Sequence, residues 1–160
     1  MKLGHVHLKV KDIKSMCEFY QNIFGMEVVE YELEKFAFLN LSSSDAHHVI
    51  ALQSLPGGNE NERRNLGLFH FAFEVKSLHE LVKFLNTLHE NNVEYKCADQ
   101  GVCWSIYFDD PEGNGIEAFL DIRSKSIGRV RWGGETKHIT GEDIMSYYHR
   151  SNAENYLGDN

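Results

Sequence analysis

Two histidines occupy equivalent positions in two copies of one sequence pattern. His70 follows His5 by 65 residues, and each is followed five and six residues later by Val-Lys. A residue that favours helix capping comes next, Asp12 in the first copy and Ser77 in the second. Either histidine alone is more simply explained as a hydrogen-bonded core residue. Because imidazole is the commonest protein ligand for metal ions, two equivalent histidines instead predict a metal site.

A second histidine competes for the first ligand position. His7 shares a strand face with His5, since strand side chains alternate with a period of two. The counterpart of His7 in the second copy is Ala72, whereas that of His5 is His70. The repeat therefore favours His5. Four further histidines, on predicted helix surfaces or near the C-terminus, are not expected to bind metal: His79, His89, His138 and His149.

A third ligand is expected from a neighbouring strand, and Glu117 is the candidate. It lies in the otherwise apolar segment 116–120, directly after a turn at 111–115. A carboxylate among apolar residues is costly unless it is paired or binds a metal. The alternative is that Glu117 faces solvent on a half-exposed strand. Two histidines and one carboxylate with open coordination positions suit non-haem Fe(II) and admit Mn(II) or another divalent ion.

The elements that must position these residues occur in the same order twice. Each copy opens with a strand and a capped helix, and the 65-residue offset persists in the apolar helix positions, where Ile13, Met16, Cys17, Tyr20 and Ile23 are matched by Leu78, Leu81, Val82, Leu85 and Leu88. Gly25 is the expected helix stop. The predicted strands are 4–10, 27–33, 35–41 and 48–53, then 93–97, 104–109 and 115–121.

These elements predict an α+β fold. Two βαβββ modules, related by a pseudo-two-fold arrangement, would form a cupped, mixed β-sheet around the metal site. We expect one domain at 1–122, with module one at 1–54, a linker at 55–66 and module two at 67–122. A C-terminal extension at 123–160 would carry a helix at 140–149, for which Thr140 and Asp143 form a capping pair. This extension could cap the metal site, pack in a dimer interface or be partly disordered.

Composition excludes several classes of function. A net charge of -8 argues against nucleic acid or an anionic membrane as a partner. No apolar run reaches membrane-spanning length, and we expect no signal peptide. Three cysteines do not form a disulfide framework, and Cys17 is a predicted core residue. We therefore expect a cytoplasmic protein, and a homodimer or higher homo-oligomer is compatible with the sequence.

The segments 4–12, 69–75 and 107–117 resemble the vicinal oxygen chelate superfamily. That superfamily includes glyoxalase I, fosfomycin-resistance enzymes, bleomycin-binding proteins and type I extradiol dioxygenases. The resemblance covers residues 1–122 and is strongest to extradiol dioxygenases that act on catechol and dihydroxybiphenyl. It implies that His5, His70 and Glu117 are the metal ligands.

The resemblance also implies two catalytic residues. The pair His47-His48 is similar to a family segment whose second member is an acid/base histidine near bound oxygen, which places that role on His48. Tyr107 matches a tyrosine that hydrogen-bonds the substrate hydroxyl. The alternatives are a solvated turn for His47-His48 and an ordinary strand aromatic for Tyr107. Ring-cleaving relatives carry a further histidine shortly before the tyrosine strand, where this chain has Gln100, which can donate a hydrogen bond but cannot carry a proton.

The function that follows is metal-dependent extradiol cleavage of a small catecholic substrate by dioxygen. Trp104, Phe71 and Phe119 could line the pocket, with core packing as the alternative for each. A glyoxalase-like isomerase or lyase needs a metal-binding carboxylate from each module, and the first module offers none. A fosfomycin-resistance-like transferase shares the ligand set. A bleomycin-resistance-like binding protein would lack it.

Overall fold

The computed structural model describes residues 3–57 and 67–157, the last five of these as backbone only. Module one contains β1 (Val6–Val10), α1 (Ile13–Phe24), β2 (Glu27–Glu32), β3 (Phe36–Asn40) and β4 (Ile50–Ser54). Module two contains β5 (Phe71–Glu74), α2 (Leu78–Glu90), β6 (Tyr95–Asp99), β7 (Cys103–Asp109) and β8 (Gly115–Asp121). β9 (Lys137–Ile139) and α3 (Gly141–Leu157) follow. The predicted α+β class and the βαβββ order are confirmed.

The chain divides into two compact units. The first unit is Met1–Phe71 with Asp109–Asn114, and the second is Ala72–Phe108 with Gly115–Asn160. Most of the predicted linker 55–66, namely 58–66, lies outside the described residues. No helix in the described ranges is long and apolar enough to span a bilayer.

The strands form two sheets with the same internal order. One sheet runs β1-β4-β3-β2, and the other runs β5-β8-β7-β6 with β9 added at the edge. In the first sheet β1 is parallel to β4, whereas β4, β3 and β2 are antiparallel neighbours. Because a parallel pair cannot be joined by a tight turn, the chain between β1 and β4 contains a helix and two strands.

Helix α1 begins and ends where its sequence predicts. The Asp12 carboxylate accepts hydrogen bonds from the backbone N–H groups of Lys14 and Ser15. Gly25 ends the helix in the left-handed region, with φ of 63°, which glycine adopts without steric cost. One face is buried, through Ile13, Met16, Cys17, Tyr20 and Ile23. Cys17 is thus a core residue, and burial, with a smaller effect from Glu18, raises its pKa to about 11.

Helix α2 also begins at its predicted capping residue. The Ser77 hydroxyl accepts a hydrogen bond from the Glu80 N–H, and the Glu80 carboxylate accepts one from the Lys76 N–H. Strand β6 begins later than the predicted 93–97. The reason is that the Val93 N–H bonds the Leu88 carbonyl, which keeps Val93 in the turn that ends the helix.

The described part of the C-terminal extension belongs to the second unit. β9 pairs antiparallel with β6, and α3 packs against α2 with the Ile144 side chain fully buried. The predicted capping pair is present, because Thr140 Oγ1 accepts from the Asp143 N–H and the Asp143 carboxylate accepts from the Thr140 N–H. The helix is longer than predicted. β9 was missed because three residues are too short to show a strand period.

The turn between β7 and β8 belongs to the first unit, and the buried carboxylate of Asp110 anchors it. Asp110 is 4% exposed and accepts hydrogen bonds from the Tyr20 hydroxyl at 3.0 Å, from Asn114 and from the Glu112 N–H. Burial raises the pKa of Asp110, and these donors oppose the rise. The Glu112 carboxylate in turn accepts from the backbone N–H of Lys11 at 2.7 Å. The turn is therefore fixed to the start of α1.

Replacing Tyr20 by Phe should destabilise the protein by about 2 kcal/mol, because the buried carboxylate of Asp110 loses one charge-assisted hydrogen bond. The free energy of unfolding from urea titration measures this. Tyr31→Phe, at a residue 44% exposed on β2, is the matched control and should change stability by less than about 0.5 kcal/mol. Equal effects of the two variants would contradict the anchoring role of Tyr20.

Candidate functional site

The parallel pairing of β1 with β4 brings two predicted site residues together in the first unit. The Val6 N–H donates to the Val49 carbonyl at 3.0 Å, and Val6 is in register with Ile50. The residues just before both strands are therefore neighbours. The rings of His5 and His48 lie there with centroids 4.5 Å apart. Both histidines lie outside the strands in which the sequence had placed them, because β1 begins at Val6 and β4 at Ile50.

His48 belongs to a small cluster of rings. Its Nδ1 atom lies 3.0 Å from Nδ1 of His47, and its ring meets Phe38 edge-on with centroids 4.9 Å apart. His47 Nε2 is 3.6 Å from a carboxylate oxygen of Glu30. Burial and the neighbouring imidazoles of His5, His47 and His7 lower the pKa of His48, and Glu30 opposes this. The surroundings therefore favour the neutral imidazole.

Asn40 holds the loop that delivers His48. Its side-chain amide donates to the backbone carbonyl of Ala46 at 2.7 Å and to that of Ser44 at 3.2 Å. The Ser44 hydroxyl also accepts from the Ala46 N–H. These bonds close the polar turn between β3 and β4. No role was predicted from the sequence for Asn40, for which the only signal was an amide at the end of an apolar strand.

The two remaining candidate histidines, His70 and His7, occupy different positions relative to their strands. His70 is half-buried, directly precedes β5 as His5 precedes β1, and contacts the ring of Phe69 at 5.3 Å between centroids. His7 lies within β1 in register with Ala51 and is exposed. The repeat thus places His70 and His5 at matching points of their modules.

The second unit holds a polar cluster around Glu117. Tyr107 on β7 hydrogen-bonds Glu117 on β8 and also Ser105. The Gln100 amide donates to the Tyr107 hydroxyl at 2.7 Å, and the Cys103 thiol lies 3.2 Å from the Gln100 carbonyl oxygen. Alternation along β7 puts Cys103, Ser105 and Tyr107 on one face. The sequence predicted Glu117 and Tyr107 and noted Gln100, but it gave no role to Cys103 or Ser105.

The electrostatics of this cluster keep Tyr107 protonated. Burial is the largest cause, and with a further contribution from the hydrogen bond to Glu117 it raises the pKa of Tyr107 to about 12, although Ser105 opposes the rise. Burial likewise raises the pKa of the Cys103 thiol. Tyr107 and Cys103 therefore both act as hydrogen-bond donors near neutral pH.

The position of Trp104 decides between the two alternatives for that predicted pocket wall. The Trp104 ring lies 5.1 Å from the ring of Tyr147 on α3 and points away from the face that carries Tyr107. Core packing therefore describes Trp104 better than a pocket wall. Phe71 is buried, and Phe119 is half-buried.

The donor chemistry of the predicted ligands suits a divalent metal. His5 and His70 supply imidazoles, and Glu117 supplies a carboxylate only 8% exposed, whose burial is costly without a compensating partner. Within residues 3–57 and 67–157 no group of three or more His, Cys, Asp or Glu side chains is arranged to hold a metal ion. The ligand set of His5, His70 and Glu117 stays a prediction.

The sequence of this chain matches the model of a known protein superfamily. Residues 2–118 match the model of the Glyoxalase/Bleomycin resistance protein/Dioxygenase superfamily. The chain belongs to that superfamily. This vicinal oxygen chelate fold is also seen in a glyoxylase/bleomycin resistance protein/dioxygenase domain from Frankia sp. EAN1pec. That structure has a TM-score of 0.67 and 23% identity, over 76% of this chain and 92% of that one.

Curated relatives in the superfamily have different reactions. Biphenyl-2,3-diol 1,2-dioxygenase 3 of Rhodococcus globerulus is 33% identical over 75% of this chain and 63% of its own length. Catechol-2,3-dioxygenase of Bacillus subtilis is 27% identical over 89% of this chain and 49% of its own length. A trivalent organoarsenical cleaving enzyme of Bacillus sp. strain MD1 is 30% identical over 74% of this chain and 73% of its own length. The chain thus spans about half to two thirds of the two dioxygenases.

A further structural relative is a fosfomycin resistance protein. A variant of FosX from Listeria monocytogenes, complexed with Mn(II) and 1S,2S-dihydroxypropylphosphonic acid, has a TM-score of 0.60 and 26% identity. The match covers 75% of this chain and 92% of FosX. Membership of the superfamily is therefore firm, and its members differ in substrate.

Replacing Asn40 by Asp should loosen the loop that carries His48. The variant has nearly the same shape, but an acceptor would face the carbonyl oxygens of Ser44 and Ala46. The free energy of unfolding should fall by about 2 kcal/mol, and amide exchange in residues 41–48 should accelerate. Asn22→Asp, at an exposed position of α1, is the matched control. A loss no larger than the control's would show that Asn40 does not hold the loop.

Proposed function

We propose that this chain is a metal-dependent extradiol-type dioxygenase that cleaves the ring of a catecholic substrate with dioxygen. One observation carries the proposal. In each unit a predicted metal ligand contacts a predicted catalytic residue, His5 with His48 and Glu117 with Tyr107. Two relatives support the same reaction class, because one is named a biphenyl-2,3-diol dioxygenase and the other a catechol dioxygenase.

The metal would be held by His5, His70 and Glu117, with Fe(II) as the preferred ion and Mn(II) or another divalent ion as alternatives. A bound divalent metal supplies Lewis acidity and a template for the vicinal oxygens of the substrate. The FosX complex with Mn(II) supports metal binding by this fold.

The protein's own residues would divide the remaining work. His48, as a neutral imidazole beside His5, would accept and return a proton. The Tyr107 hydroxyl, beside Glu117, would donate a hydrogen bond to a substrate oxygen and so orient the ring. These two roles need different side chains, because an imidazole can move protons near neutral pH while the Tyr107 phenol stays protonated.

Removal of any one ligand should abolish metal binding. The variants His5→Ala, His70→Ala and Glu117→Ala should each fall from about one metal ion per chain to a small fraction, because two remaining donors hold the ion weakly. Elemental analysis after Fe(II) loading and desalting gives the stoichiometry. His7→Ala is the matched control and should retain the metal. Loss of metal in His7→Ala but not in His5→Ala would mean that the first ligand is His7.

Turnover is tested on protein purified without oxygen and loaded with Fe(II). With catechol or 2,3-dihydroxybiphenyl, we expect oxygen uptake equal to substrate loss and a product carrying both atoms of labelled dioxygen. His48→Phe should keep the metal but lower turnover by a factor of about 100 or more, the scale of a missing acid/base catalyst. Metal loss in His48→Phe would place His48 among the ligands. No oxygen uptake with any catechol in metal-loaded protein would refute ring cleavage.

A second candidate is cleavage of a trivalent organoarsenical. Two observations favour it: the relative in Bacillus sp. strain MD1, and the Cys103 thiol beside Gln100 in the polar cluster around Glu117. Thiols are the preferred ligands of soft centres. On this hypothesis Cys103→Ser should abolish turnover of a trivalent organoarsenical. If ring cleavage is the reaction instead, the same variant should leave the turnover of catechols largely unchanged.

A further inference from the structure

Gln100 stands at the corner between β6 and β7, and its backbone is fixed on both sides. Its N–H donates to the Cys103 carbonyl at 3.0 Å, and its carbonyl accepts from the Arg129 guanidinium at 3.4 Å. The next residue, Gly101, has φ of 76° and lies so close to Arg129 that a side chain there would collide with the guanidinium. The Arg129 N–H also bonds the Gly101 carbonyl at 2.6 Å.

The Gln100 side chain is fixed as firmly as its backbone. Its amide nitrogen donates to the Tyr107 hydroxyl at 2.7 Å, and its carbonyl oxygen faces the Cys103 thiol at 3.2 Å. A thiol is a weak donor and an amide nitrogen is only a donor. Because sulfur accepts hydrogen bonds only weakly, the Cys103 thiol donates to the amide oxygen, and this contact favours the orientation in which the amide nitrogen faces Tyr107.

These contacts determine the direction in which the single hydroxyl proton of Tyr107 points. A hydroxyl that accepts a hydrogen bond from Gln100 cannot also send its proton there. Of the two other partners of Tyr107, the Ser105 hydroxyl can donate or accept, whereas the carboxylate of Glu117 only accepts and is the stronger acceptor, so the Tyr107 proton is directed to Glu117.

We infer that Gln100 is a positioning residue that fixes the direction of the hydrogen bonds at Tyr107, so that the one proton of its hydroxyl points to the Glu117 side, where a ligand oxygen could accept it in place of the carboxylate. The role of that donor rests on the proposed function, but the hydrogen-bond direction is a property of the second unit alone. A histidine at this place could donate or accept according to its protonation, whereas an amide cannot change. The corner therefore recognises a ligand oxygen that accepts, such as a deprotonated catechol oxygen.

The first test needs neither metal nor substrate. In a ¹⁵N-labelled sample, the side-chain NH₂ signals of Gln100 are identified by their loss in Gln100→Met. In Tyr107→Phe, one of these two proton signals should move upfield, because its acceptor is gone, while Tyr31→Phe should leave both unmoved. Unchanged Gln100 signals in a folded Tyr107→Phe protein would overturn the inference.

The second test uses turnover. Gln100→Glu keeps the shape but accepts from Tyr107, so the proton turns away from Glu117. We expect kcat/KM for a catechol that the wild type turns over to fall by roughly tenfold to a hundredfold, with no further fall when Tyr107→Phe is added. Gln21→Glu, exposed on α1, is the control. Full kcat/KM in Gln100→Glu would overturn the inference. Inactive wild-type protein would refute the proposed function, and the NMR result would still decide the role of Gln100.

Discussion

The parallel pairing of β1 with β4 is the constraint from which the first unit is built. The hydrogen bond from Val6 to Val49 fixes the register, and the register makes neighbours of the residues that precede the two strands. His5 and His48 are distant in sequence but adjacent in space for this reason. A slip of one residue would turn the alternating side chains of β1 to the opposite face. The buried face of α1 stabilises that register by packing against β3 and β4.

The two units share a strand order but carry different chemistry. In the first unit the predicted site residues are imidazoles, and they lie before the strands, where backbone geometry is set by the Asn40 amide and the neighbouring turn. In the second unit they are a carboxylate and a phenol within strands β8 and β7, where the sheet itself holds them. On the proposed function, proton transfer would take place at the more exposed imidazoles of the first unit, and the fixed hydrogen-bond donor would lie in the more buried cluster of the second.

The C-terminal extension is tied into the second sheet rather than appended to it. β9 continues the sheet beyond β6, α3 covers α2, and Arg129 reaches back to the corner at Gln100. The extension thus supports the segment that leads into the Tyr107 cluster. Burial of Ile144 and the ring contact between Trp104 and Tyr147 are the apolar part of this support.

The sequence by itself determined the modules, their helices and the candidate ligands, because these rest on local rules. Asp12 and Gly25 mark helix ends through their own backbone and side-chain preferences, and the 65-residue offset between His5 and His70 is visible without a structure. Only the tertiary structure decided which distant groups meet. The contact of His48 with His5 depends on strand register, and the contact of Arg129 with the corner at Gln100 depends on the path of the C-terminal extension. Such contacts arise from long-range packing, and no local pattern encodes them.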